Sequence, residues 1–236
     1  MEIADIAEIA EICDHVVFNS FRQAEKYAPV VKGKGHSCGL RLNPEHSTQE
    51  HGIYDPCSEG SRMGVRFAEF EQAVGERPEL LELLDGIHMH TLCEQDSDAL
   101  EETVEVLEQK FAPYFKYFRW LNLGGGHHIT RSGYDLDRLR RLIRRLREAY
   151  GFDVYLEPGE AVALNAGHLV STVLEVQEKG ADGVQNVILD TSAACHMPDV
   201  LEMPYTPRCT VERLRGCDVE RLHGHLEDTS TPQYLN

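Results

Sequence analysis

Trp120-Leu-Asn-Leu-Gly124-Gly125-Gly126-His127-His128 is an apolar run that leads straight into three glycines and two histidines. The run reads as a strand. Three glycines after a strand let backbone N–H groups converge on an anion with no Cβ in the way, so the stretch reads as a phosphate cradle. It is neither GxGxxG nor a P-loop, and without context it is equally a tight turn that needs positive φ. Its place at the C-terminal end of a strand is where parallel α/β barrels build their sites.

On either side, short apolar runs alternate with amphipathic stretches, the rhythm of βα units around a parallel sheet. Strands are expected at 15–19, 39–43, 86–91, 120–123, 154–157 and 187–190. Leu100, Val104, Leu107 and Phe111 fall at helical spacing, as do Leu136, Leu139, Ile143 and Leu146, with Asp98 and Asp135 at the N-cap positions. A first helix is expected from residue 3 to 13. The six arginines between Arg138 and Arg147 flank an apolar stripe and read as a solvated helix face. After Pro207 the chain turns polar and irregular, and 227–236 reads as an unpacked tail.

The 236 residues carry 23 Lys plus Arg against 40 Asp plus Glu, a net charge of −17. Such a field repels phosphate backbones and attracts cations, which argues against a nucleic-acid partner and for a cationic ligand. No run approaches the roughly 18 apolar residues of a membrane helix. The acidic start is unlike a secretory signal, and the seven cysteines form no CxxC pair, so a cytoplasmic protein is expected.

Two further strand ends carry chemistry. In Gly86-Ile-His88-Met-His90-Thr-Leu-Cys93-Glu94 alternation puts His88 and His90 on one face, as core histidines, as metal ligands or as an imidazole against a flat cofactor. Tyr155-Leu-Glu157-Pro158-Gly159-Glu160-Ala161 holds two carboxylates across a Pro-Gly turn; they are either an ordinary acidic turn or partners for a protonated ring nitrogen or an ammonium. The segment from Asp190 through Cys195, His196, Pro198, Asp199, Glu202 and Pro204 to Tyr205 reads by itself as a rigid acidic loop.

These motifs occur in order with Gly39-Leu-Arg41-Leu-Asn43-Pro44-Glu45 and Ser61-Arg62-Met-Gly64. Together the chain resembles the carboxynorspermidine (carboxyspermidine) decarboxylases, from about residue 8 to residue 207. The GGGHH loop, the EPGEA turn and the HMPDVLEMPY segment separate that family from its ornithine, arginine and diaminopimelate decarboxylase relatives. The resemblance implies an α/β fold: a partial (β/α)₈ barrel of the alanine-racemase-like type at 1–165, then a partial β-domain with an irregular tail at 166–236. It implies pyridoxal 5'-phosphate as cofactor, a carboxylated polyamine as substrate, decarboxylation to norspermidine or spermidine, and a homodimer.

By similarity, Gly124, Gly125 and Gly126 hold the phosphate, Glu157 pairs with the pyridine nitrogen, His90 stacks on the ring and Arg41 lies near it. Glu160 stands where many relatives have arginine; with Asp199, Glu202 and His196 it is expected to receive the substrate. The family's Schiff-base lysine belongs to a first barrel strand that has no counterpart here, so no catalytic residue is assigned. Lys26, Lys32, Lys34, Lys110, Lys116 and Lys179 do not match its setting. A truncated fragment of the decarboxylase, inactive alone, is therefore expected. The alternatives are a polyamine- or partner-binding pseudoenzyme and a metal-dependent barrel hydrolase built on His88 and His90, with a ligand such as Asp190.

Overall fold

A computed structural model describes residues 3–49, 52, 55–164, 166–181, 183–202, 208–213 and 220–225. The chain divides into two compact units, Met1–Val162 and Ala163–Asn236.

The first unit is a parallel sheet covered by helices. Helix α1 (Ile3–Ile12) precedes β1 (His15–Phe18); α2 (Phe21–Gly33) leads to β2 (Ser37–Asn43), whose end pairs with the short β3 (Val65–Arg66). Next come α3 (Phe67–Glu76), β4 (Gly86–His88), α4 (Ser97–Phe111), β5 (Trp120–Asn122), α5 (Leu136–Tyr150), β6 (Asp153–Tyr155) and α6 (Gly159–Ala163). The strand path is β1-β2-β4-β5-β6, all pairs parallel. Five of the six expected strands lie here, and α4 and α5 fall on the expected helical spacing.

Register assigns the two faces. Gly39, Gly86, Trp120 and Asp153 form one row across neighbouring strands, and Arg41, His88, Asn122 and Tyr155 the row two residues on. The residues between the two rows, Leu40, Ile87 and Leu121, face the helices and are fully buried. Against them lie Ala24, Ala28 and Val31 of α2, Leu100, Val104 and Leu107 of α4, and Leu139, Leu142 and Leu146 of α5. On α5 the stripe differs from the expected one: Leu142 is buried, whereas Leu136 is 41% exposed. Arg145 clamps Glu108 of α4 through two bonds of 2.7 and 2.8 Å, and Arg138 meets Asp98 and Glu101, so the arginine-rich helix spends charge on its neighbour.

The row of small residues has one filler. Trp120 lies across Gly39 and Gly86, where added Cβ atoms would stand 2.2 and 1.9 Å from indole atoms. Its Nε1 donates to Ser37 Oγ at 2.8 Å, and His15 meets the ring edge-on at 5.2 Å. The indole thus forms a floor below the row of Arg41, His88 and Asn122.

The second unit is an antiparallel sheet in the order β8-β7-β10-β9, from β7 (Leu169–Val176), β8 (Val187–Leu189), β9 (Arg208–Arg213) and β10 (Glu220–His225). Strands β9 and β10 correct the expectation of irregular chain after Pro207; residues 226–236 lie outside the described residues. The acidic segment, expected as a loop, carries two one-turn helices, α7 (Ala193–His196) and α8 (Asp199–Glu202), separated by Pro198. Pro198 lacks the N–H a continuing helix needs but accepts from Leu201 as the next turn begins. Asp98 is not an N-cap: Asp96 occupies that position on α4, and Asp98 bonds the N–H of Ala99 within the first turn.

Candidate active site

The C-terminal ends of β2, β4, β5 and β6 bring together Arg41, His88, His90, Asn122, Gly124 to Gly126 and Glu157. Glu157 is the centre. Asn122 Nδ2 donates to its Oε1 at 2.8 Å, and His88 Nε2 stands 3.4 Å from its Oε2. The same Asn122 accepts the N–H of Gly124 at 2.8 Å, so one amide ties the glycine loop to the carboxylate. Glu157 N–H donates to Gly124 O at 2.8 Å, which pins β6 to that loop. Half of the Glu157 side chain remains accessible to solvent.

The three glycines are required by close approach. Gly124 and Gly126 have φ of +71° and +78°, and Cβ atoms there would stand 2.5 Å from Met89 O and 2.1 Å from Leu92 O. A Cβ on Gly125 would meet Glu157 O at 2.6 Å and the His90 ring at 3.2 Å. The turn reading of this loop therefore holds, with the packing of three strand ends as its cause. Gly125 N–H faces His90 Nδ1 at 3.4 Å, which makes that nitrogen the acceptor. Arg41 donates to His90 O at 3.2 Å.

A second cluster lies one step further along the same strand ends. His128, 1% exposed, has its Nε2 3.5 Å from Glu160 Oε2, and Glu94 joins them with all three ligand atoms within 4.8 Å of one another. Of the remaining expected residues, Asp199, Glu202 and His196 belong to the second unit, where His196 is exposed and its Nδ1 faces Ser192 O at 3.1 Å. Asp190, the ligand a hydrolase would add to His88 and His90, also lies there and accepts from Ser171 and Thr172. Five of the six lysines are engaged elsewhere, Lys32 with Asp85, Lys34 with Glu11, Lys110 with Glu45, and Lys26 and Lys116 over neighbouring tyrosines, while Lys179 belongs to the second unit.

Burial holds the imidazoles of His88, His90 and His127 below their ordinary 6.5, while the Glu160 carboxylate raises His128. The signs oppose. For a depressed histidine the unfolded chain takes the proton first, so stability is lost as pH falls from about 6.5 to the folded value. The His128 contribution is present below about 6.5 and lost as pH rises through its higher folded value. With three groups against one, the urea midpoint is expected to fall between neutral pH and about pH 5.5. His127→Asn should flatten that fall; a midpoint that rises on acidification would contradict the assignment.

No family model matches the chain. The parallel sheet with its strand-end cluster has the fold of the alanine-racemase-like, pyridoxal-phosphate-dependent decarboxylases; a diaminopimelate decarboxylase superposes with a TM-score of 0.75 at 17% identity, over 95% of this chain and 64% of that one. Within that class the chain is a homologue of the carboxynorspermidine/carboxyspermidine decarboxylases. The Campylobacter jejuni enzyme of that name is 43% identical over 202 residues, 86% of this chain and 50% of its own. The crystal structure of carboxynorspermidine decarboxylase from Campylobacter jejuni, complexed with norspermidine, superposes with a TM-score of 0.76 at 34% identity, covering 99% of this chain and 65% of that one. A carboxyaminopropylagmatine decarboxylase from Synechocystis is 38% identical over 223 residues, 93% of this chain and 56% of its own. The chain spans about half the length of the curated relatives it matches. The resemblance read from the motifs is thus borne out, and with it the α/β fold.

Proposed function

We propose that this chain carries the cofactor-binding part of a carboxy-lyase that converts carboxynorspermidine or carboxyspermidine into norspermidine or spermidine in polyamine biosynthesis, with pyridoxal phosphate as cofactor. The observation that carries the reading is Glu157, a half-exposed carboxylate oriented by Asn122 and His88 at the edge of a glycine loop.

The residues fit the cofactor. The opening between Gly125, His90 and Glu157 is one a single Cβ would obstruct, and the carboxylate supplies the anionic partner that a protonated ring nitrogen needs. When bound there, pyridoxal phosphate supplies an electron sink for the charge left by loss of CO₂. Glu157 holds a proton on the ring nitrogen, and Asn122 and His88 keep its two oxygens from rotating away. His88 is suited to that task because burial keeps it neutral, so its Nε2–H donates without neutralising Glu157. His90 lies against the ring, the loop of Gly124, Gly125 and Gly126 takes the phosphate, and Arg41 adds positive charge beside His90. Glu160 binds an ammonium of the substrate. A cytoplasmic homodimer is the assembly proposed for the whole decarboxylase. Among the described residues, no lysine contact at this site supplies the amine that anchors the cofactor in such enzymes.

Trp120, the single tryptophan, forms the floor of this site and reports on it. Pyridoxal phosphate titrated into the chain is expected to quench its fluorescence saturably, and Gly125→Ala to weaken the effect. Borohydride reduction of the mixture should leave no one lysine specifically labelled. Absence of saturable quenching would overturn the cofactor reading; if norspermidine still bound, a polyamine-binding pseudoenzyme would be left.

A further inference from the structure

Three consecutive strands each deliver a second group a few residues beyond the first. Glu94 follows His90, His128 follows the glycine loop, and Glu160 follows Glu157 by one turn. A parallel bridge holds the first two in place: Gln95 N–H donates to Gly126 O at 2.9 Å and His128 N–H to Gln95 O at 3.2 Å. His128 is 1% exposed, yet neither ring nitrogen has a hydrogen-bond partner among the described residues; Nε2 makes only the 3.5 Å approach to Glu160. A buried imidazole whose one polar approach is a long one to a carboxylate, with a second carboxylate close by, leaves acceptor capacity that a cation would satisfy.

We propose that Glu94, His128 and Glu160 form a three-acceptor subsite for a primary ammonium of the substrate, resting on the polyamine reading above. An ammonium offers three N–H donors, and acceptors about 2.8 Å from its nitrogen stand about 4.6 Å apart around it. The three atoms here lie within 4.8 Å of one another. The His128–Glu160 edge of 3.5 Å is shorter and must widen by about 1 Å for the ion to enter. A divalent metal would draw the same atoms closer, to about 3.4 Å, for bonds of about 2.1 Å. A guanidinium, planar and forked, is matched less well by acceptors on three sides. His128 accepts only when neutral. Glu160 foremost, and Glu94 after it, favour its protonated form, against burial and Arg131, so the subsite empties as pH falls.

Norspermidine titrated calorimetrically into the 236-residue chain tests this. Glu94→Gln and His128→Gln are expected to weaken binding about tenfold or more, and binding should weaken on acidification in the parent but less in His128→Gln. Glu102→Gln, which removes an equal charge on α4 beside His46, is the control and should leave binding unchanged. If Glu94→Gln and Glu102→Gln behave alike while pyridoxal phosphate still quenches Trp120, the subsite is wrong and the decarboxylase reading stands. Loss of both ligands in the parent chain overturns both. Tighter binding of aminopropylagmatine than of norspermidine would overturn the ammonium assignment in favour of a guanidinium. Zinc chloride binding that depends on Glu94 and His128, with no norspermidine binding, would overturn it in favour of a metal.

Discussion

Glu157→Gln is expected to weaken pyridoxal phosphate binding by about tenfold to a hundredfold, the worth of one charge-assisted hydrogen bond, while leaving the fold intact. The replacement is isosteric, so Asn122 still has an oxygen to donate to, and the half-exposed side chain contributes little to the core. What disappears is the negative charge that holds a proton on the cofactor ring. In a decarboxylase spanning the full length of the relatives, the same change should lower kcat by about 10²- to 10³-fold, as expected for losing a preorganised electrostatic partner. Tryptophan quenching gives the affinity and urea denaturation the stability. An unchanged quenching curve would show that Glu157 does not meet the ring.

Gly86→Ala should be the most damaging conservative change in the sheet. The new Cβ would stand 1.9 Å from the indole of Trp120, which cannot retreat because Gly39 lies under its far edge and Ser37 holds its nitrogen. Overpacking of this kind costs about 3 kcal/mol or more, a large share of the roughly 5–15 kcal/mol that keeps a domain folded. Trp120→Leu alone leaves a void and also destabilises. Combined with Gly86→Ala, part of that void is filled, so the double variant is expected to be more stable than the sum of the two losses predicts. Urea midpoints of the four proteins decide it; simple additivity would mean that the indole is not seated on Gly86.

Much of the site was legible because alternation along a strand is rigid. Once 86–91 and 120–123 read as strands, His88 and the loop glycines had to share an edge, and Glu157 had to join them. The strands themselves are shorter than the sequence suggests: β4 ends at His88, because the chain turns outward to let Gly124 and Gly126 approach Met89 O and Leu92 O. Asn122 was overlooked, although its place two residues before Gly124 and on the face of Trp120 was a usable signal. Strand β7 escaped notice because its burial follows no clean period of two; Val170, Leu174 and Val176 are all exposed. The partnership of His128 with Glu94 and Glu160 could not be read at all, since it depends on how far each of three chains runs past its strand.

That offset between strand ends separates two kinds of tolerance to mutation. At the inner level Gly124, Gly125 and Gly126 are locked by backbone approaches that leave no room for a side chain, and Glu157 is oriented by Asn122 and His88. Glu94 and Glu160 stand one turn out, as exposed carboxylates beside His128. A lineage of such proteins can therefore explore new cationic substrates by varying the outer level while inheriting the inner one unchanged.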